Sequence, residues 1–156
     1  KKIFDGKHDI IVSYGDIIYK KEILKKVISN KFNLSTVIDK NWYKYWKERM
    51  HDPLSDAESL ELDRNNNIIS IGKKVSNLNK IKGQYIGLTK ISKKIAPKIK
   101  NIWLNLYKKN SKTKIDNLYF TDFLTTLIKK KIKLKAIIVK RGWLEFDLPN
   151  DLKIPF

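Results

Sequence analysis

Apolar and polar residues follow two rhythms along this chain, one of period two and one near 3.6, and the switches between them mark its elements. Ile10, Ile11 and Val12 form a β-branched run within residues 9–14 that ends in Gly15-Asp16, which predicts a buried strand closed by a turn. Ile23, Leu24, Val27 and Ile28 then fall at helical spacing between lysines, predicting an amphipathic helix over residues 20–30. Residues 34–38 return to strand character, and residues 42–50 predict a short helix that stops before Pro53. Two alternating runs, residues 59–63 and 68–71, flank Arg64-Asn65-Asn66-Asn67 and predict a β-hairpin.

The second half continues the alternation. Residues 84–91 read as a strand and residues 92–108 as a helix, with Ile95, Ile99, Ile102 and Leu106 on its apolar face. Residues 110–114 (Asn-Ser-Lys-Thr-Lys) read as a flexible loop. Thr121 or Asp122 is the expected N-cap of a helix carrying Phe123, Leu124, Leu127 and Ile128. Residues 134–139 form a last buried strand, residues 142–147 are extended, and Pro149 opens a final turn. Strand, helix, strand with an inserted hairpin predicts one α/β domain over residues 1–156, built on a mixed, mostly parallel sheet.

Composition narrows the function classes. The chain has 156 residues and no cysteine, which excludes a disulfide scaffold, thiol catalysis and cysteine-ligated zinc. Its histidines, His8 and His51, are too few for a histidine-rich metal site and read as structural or exposed. No apolar run reaches the ~18–20 residues that span a bilayer, and the N-terminus shows no signal-peptide core, so membrane insertion is not expected and a cytoplasmic location is. The net charge of +18 invites a nucleic-acid reading. Of the 34 basic residues, however, only Arg49, Arg64 and Arg141 are arginine, the residue that reads guanine and phosphate bidentately. The lysines are spread from end to end and read as solvated faces, so no specific nucleic acid is expected, although such a field still draws polyanionic small molecules.

Two places carry candidate chemistry on position alone. Asp16 stands at the carboxyl end of the first strand behind a glycine, where open α/β sheets bind ligands. A carboxylate there suits Mg²⁺ held jointly with substrate phosphates, or equally the N-cap of the helix that follows. Glu145 and Asp147 lie two apart on an extended stretch, so they project to one face, where a cation or proton must relieve their repulsion.

Taken in order, Tyr14-Gly15-Asp16, Val37-Ile38-Asp39-Lys40-Asn41-Trp42, Asp52-Pro53-Leu54-Ser55-Asp56-Ala57-Glu58, Ile71-Gly72-Lys73-Lys74, Gly83-Gln84-Tyr85-Ile86-Gly87-Leu88, Tyr119 to Leu124 and Trp143-Leu144-Glu145-Phe146-Asp147 resemble the nucleotidyltransferases. The branch they are most similar to is that of the phosphocholine cytidylyltransferases and of the nucleotidyltransferase domains found with phosphoenolpyruvate phosphomutases. The resemblance implies a Rossmann-like sheet of the nucleotide-diphospho-sugar transferase type. One departure is large: the family's glycine-rich GxGxR loop, whose N–H groups cradle the triphosphate, has no counterpart in this sequence. The expectation is therefore a carboxyl-terminal portion of such a domain, with an N-terminal segment or companion domain missing.

What the resemblance implies is transfer of a nucleoside monophosphate, CTP being the expected donor, to a small phosphorylated alcohol or phosphonate, with release of pyrophosphate. It assigns Mg²⁺ to Asp16 and Asp147, and a phosphate contact to Lys73. Around the acceptor it places Tyr85, Gly87, Trp143, Glu58 and Trp42, with Glu145 supporting metal or acceptor. An aromatic box of this kind suits an ammonium. For Trp42, Trp46, Tyr85 and Trp143, simple packing is the competing reading. The alternatives for the whole chain are a sugar-1-phosphate nucleotidyltransferase of the same fold and a non-catalytic basic module that binds polyanions.

Overall fold

The computed structural model describes residues 3–156. Its elements are β1 (Ile10–Ser13), β2 (Ile17–Tyr19), α1 (Lys21–Ser29), β3 (Leu34–Asp39), α2 (Trp42–Arg49), β4 (Glu58–Leu62), β5 (Asn67–Lys74), β6 (Gln84–Ile91), α3 (Ala96–Lys109), α4 (Lys112–Asp116), α5 (Phe120–Lys129), β7 (Leu134–Val139) and β8 (Trp143–Glu145). Short 3₁₀ turns cover Leu78–Lys80 and Pro149–Lys153. Six strands form one sheet in the order β1-β6-β3-β7-β5-β4, while β2 and β8 pair separately. No helix among the described residues is long and apolar enough to cross a membrane.

The sheet is mixed, as the alternation of elements requires, but it is mostly antiparallel. Only β3 and β7 run parallel; every other neighbouring pair is antiparallel. β1, β3 and β7 do point the same way, which is what helix crossovers between them demand. The difference lies in β6, which arrives from the β4–β5 hairpin and inserts between β1 and β3 against both. Sequence periodicity reports direction of travel through crossovers, not which strand finally lies beside which.

Alternation along the central strands sorts two cores. Val37, Ile86, Leu88, Ile137 and Val139 face α1 and α2; Leu34, Ile38, Ile91, Leu134 and Ala136 face α3 and α5. On α1 the i, i+4 pair Ile23 and Val27 is buried, and on α3 Ala96, Ile99 and Ile102 repeat every third residue. All six residues of β3 are buried. Its hydroxyls are satisfied: Thr36 Oγ1 lies 2.9 Å from the Leu88 carbonyl and 2.8 Å from Thr89 Oγ1 within the sheet, and the Ser35 hydroxyl donates to Asn30 Oδ1 at 3.2 Å.

Three local expectations shift. The third helix begins at Ala96, because Ser92 closes a turn by accepting from Ile95 and Ala96 and Pro97 takes a first-turn position. The stretch at 110–114 is not a loop: Ser111 accepts from the Lys114 N–H and starts α4. At α5 the N-cap is Tyr119, and Asp122, three residues in, accepts the Tyr119 N–H at 3.2 Å.

At Gly87 the β3–β6 register slips between Thr36 and Ile38, and its φ of +80° puts an added Cβ 2.7 Å from Tyr14 Cγ. Gly87→Ala is therefore expected to destabilise the fold by about 2–3 kcal/mol in urea denaturation. Gly15→Ala, with nothing within 4 Å of the new Cβ, should be close to neutral. Equal losses at the two positions would contradict this account of the bulge.

Candidate active site

The ends of β1 and β3 meet the start of β6 on one side of the sheet, since Ser13 stands opposite Leu88 and Asp39 opposite Gln84. The chain leaving β1 turns through Asp16, and the chain leaving β8 runs beside it: Ile17 pairs with Glu145, and the Phe146 N–H donates to the Asp16 carbonyl at 2.9 Å. A polar cavity of about 200 Å³ opens here, walled by Tyr14 and Tyr85, by Glu145 and Asp147, and by Asp56 and Glu58. A roomier cavity of about 390 Å³ lies among Trp103, Leu118 and Phe123, but no carboxylate lines it.

Arg49, the last residue of α2, organises the β8 side. Its guanidinium is 1% exposed and reaches Glu145 at 2.5 Å, Asp147 at 2.7 Å and Asp151 at 3.0 Å. Burial opposes its charge, but the three carboxylates outweigh burial and hold it protonated. Asp151 is placed by the Pro149–Lys153 turn and also accepts the N–H groups of Asp147 and Leu148, both at 2.9 Å. Burial alone would raise its carboxyl; the Arg49 bond and these N–H bonds carry it below the usual range. Glu145 moves the other way. One guanidinium shared among three acids leaves excess negative charge, and burial pushes the Glu145 carboxyl up to about 7 despite the Arg49 contact.

A second buried carboxylate braces the same corner. Asp39, fully buried at the end of β3, accepts from the Asn41 N–H (2.8 Å), the Arg141 N–H (3.0 Å) and the Trp143 indole N–H (3.0 Å). Tyr45 then packs edge-on against Trp143, and its hydroxyl accepts the Glu145 N–H at 2.8 Å.

Of the residues singled out from the sequence, Tyr85, Gly87, Glu58, Glu145 and Asp147 wall the cavity together. Asp16 is exposed at the corner whose carbonyl holds Phe146, and it does not cap α1, whose N-cap is Lys20. Three others are placed elsewhere. Trp143 and Trp42 are core residues, 1% and 4% exposed, held edge-on in a cluster with Tyr45 and Trp46; they do not line the cavity. Burying two indoles between α2 and β8 is worth more than exposing them to a polar pocket. Lys73 is exposed, its backbone N–H on Ser59 Oγ at 3.2 Å, and its side chain lies outside the cavity.

Sequence reasoning missed Arg49, Asp151, Asp56 and Trp46. Trp46 lines the cavity at 2% exposure, and its indole N–H has no partner among the described residues. An unpaired buried donor costs about 1–3 kcal/mol. Thr121 reaches the wall because Gly72 leaves room: a Cβ on residue 72, whose φ is +80°, would sit 2.6 Å from Thr121 Cβ. Tyr14 and Tyr85 meet edge-on at 5.6 Å, and burial raises both phenols, so they remain hydrogen-bond donors at neutral pH.

No family model matches the sequence. A CTP:phosphoglutamine cytidylyltransferase of Campylobacter jejuni is 36% identical over 155 residues, which is 98% of this chain and 61% of that protein. This chain is thus similar over nearly its whole length to part of a cytidylyltransferase. The relation runs through every segment of the site just described, since the match covers nearly the whole chain, and the chain spans under two thirds of its curated relative. Solved structures agree on the nucleotidyltransferase fold. The inositol-1-phosphate CTP transferase from T. maritima superposes with a TM-score of 0.64 at 16% identity, over 93% of this chain and 51% of that one. A nucleoside-diphosphate-sugar pyrophosphorylase from Vibrio cholerae gives 0.58 at 11% identity, over 94% and 55%.

Arg49→Ala would strand three carboxylates and is expected to cost about 3–5 kcal/mol in urea denaturation. The pH dependence is signed. Glu145 binds its proton more tightly folded than unfolded, so its ionisation should lower stability as pH rises from about 4.5 to about 7. Glu145→Gln should flatten that decline; an unchanged slope would show that another group is responsible.

Proposed function

We propose that this chain forms the acceptor-binding and metal-holding part of a cytidylyltransferase that moves CMP from CTP to a small phosphorylated acceptor. The observation that supports it most is the seam between Asp16 and the 145–147 segment, set beside a polar cavity in a chain 36% identical to a CTP:phosphoglutamine cytidylyltransferase. In such a transfer an acceptor phosphate oxygen attacks the α-phosphorus. The new P–O bond forms as the bond to the β-phosphate bridging oxygen breaks, and pyrophosphate leaves. Positioning and charge neutralisation carry most of that step.

The donor set fits Mg²⁺. Asp16 is exposed and makes no ion pair among the described residues, while Asp147 gives Arg49 one oxygen and keeps the other. No group of three or more His, Cys, Asp or Glu placed to hold a metal ion is found among the described residues, so an ion here would rest on two carboxylates and be completed by substrate phosphates. When bound there, Mg²⁺ would neutralise phosphate charge. The chain's own contribution is orientation. Arg49 holds the Asp147 carboxylate while the Phe146–Asp16 bond holds the backbone of the opposing corner, so the two segments that carry the carboxylates stay side by side. Tyr14 and Tyr85 line the cavity with their rings packed edge-on, and the net charge of +18 concentrates phosphorylated substrates near the site. The reaction belongs in the cytoplasm, where nucleoside triphosphates are.

Asp16→Asn and Asp147→Asn are each expected to reduce pyrophosphate release from CTP, Mg²⁺ and phosphoglutamine by about 100-fold or more. Undiminished release in either variant would remove the metal assignment. Faster turnover with a sugar 1-phosphate than with phosphoglutamine would overturn the acceptor class.

A further inference from the structure

Only three of the 34 basic residues are arginine, and two of those three stand over one aromatic ring. The ring is that of Tyr45, fully buried on α2. The guanidinium carbon of Arg49 is 5.4 Å from its centroid and that of Arg141 is 4.0 Å. A planar guanidinium stacks on an aromatic face as a lysine ammonium does not. Three carboxylates account for the position of Arg49. Nothing comparable accounts for Arg141.

Arg141 lies between β7 and β8 in a strained conformation. Its φ is +65° and Gly142 follows at +87°, so two consecutive residues are left-handed. Gly or Asn usually fills such a position, and a long side chain there costs free energy. The bond that holds the turn, from the residue 141 N–H to Asp39 Oδ1 at 3.0 Å, needs no particular side chain. Hydrogen bonding does not explain the guanidinium either. Its Nη2 reaches Glu48 at 3.3 Å, while its buried Nη1 has no partner among the described residues. Glu48 is three residues beyond Tyr45 on the same helix, so the ion pair draws the guanidinium along the flank of the tyrosine. What the side chain gains is the ring.

Tyr45 passes the contact on. Its hydroxyl accepts the Glu145 N–H at 2.8 Å, and its ring packs edge-on against Trp143 at 5.3 Å. We propose that Arg141 is a positioning residue: its guanidinium seats the Tyr45 ring, and Tyr45 seats the backbone at Glu145, from which Glu145 and Asp147 reach the cavity wall. Arg141 makes no ion pair with either carboxylate and does not line the cavity. Its part in turnover rests on the reading of the cavity as the reaction site; the seating of Glu145 does not.

Two substitutions separate the guanidinium from the turn. Arg141→Gly removes the side chain and relieves the strain, whereas Arg141→Ala removes it and keeps the strain, so the glycine variant should have the higher urea midpoint. Both are expected to speed hydrogen exchange at the Glu145 amide by about 10-fold relative to the amides of β3. Both should also lower kcat for pyrophosphate release from CTP, Mg²⁺ and phosphoglutamine by roughly 10-fold, and to the same extent. A merely structural role would make these losses follow the midpoints, larger for alanine than for glycine, and that result would overturn the proposal. Unchanged exchange at Glu145 would overturn it as well. Faster exchange with undiminished kcat would overturn the part in turnover. Absence of release from the unaltered chain would remove the reaction reading, while the exchange rates would still decide whether Arg141 seats Glu145.

Discussion

A charge taken out of water must be paired where it lies, and in this chain that requirement falls hardest on Arg49. Its guanidinium is almost fully enclosed and bonds three carboxylates drawn from residues 145–151. One α-helix end thus fixes the course of the chain after β8. Without this cation, Glu145, Asp147 and Asp151 would repel one another, and that repulsion would work against the backbone bonds that keep the segment beside the Asp16 corner. Asp39 plays the complementary part with its sign reversed. It is a buried anion that gathers N–H groups from three points, and it sets Trp143 where Tyr45 and, through Tyr45, Glu145 can find their places.

The cavity is therefore braced by ion pairs on one side only. Where Arg49 acts, the acids are bonded and their directions are fixed. Where Asp56 and Glu58 stand, no ion pair forms among the described residues.

Much of the fold was legible in the sequence. The strands at 34–38, 84–91 and 134–139 and the helices on either side of them announce themselves through period and composition, and the carboxylates at Asp16 and in Glu145-Phe146-Asp147 stand out by their positions along the sequence. What was not legible depends on who neighbours whom. The insertion of β6 between β1 and β3 is a tertiary choice that leaves no periodic trace. The tryptophans at 42 and 143 went to the core while Trp46, on the same helix as Trp42, reached the cavity wall, a difference of rotation that composition cannot express. Arg49 did leave a signal. In a chain whose bases are lysine at all but three positions, an arginine marks a place where a planar, many-toothed donor is needed.

The contact between Gly72 and Thr121 ties two elements that are distant in the chain. α5 approaches β5 so closely at this point that residue 72 has no volume to give, and Thr125 bonds the neighbouring Ile71 carbonyl at 3.0 Å. Any lineage that enlarged residue 72 would have to shave residue 121 at the same time, and residue 121 is part of the cavity wall. Drift in the hairpin is thereby tied to the shape of the cavity, so these two sites should be inherited as a unit even though nearly fifty residues separate them.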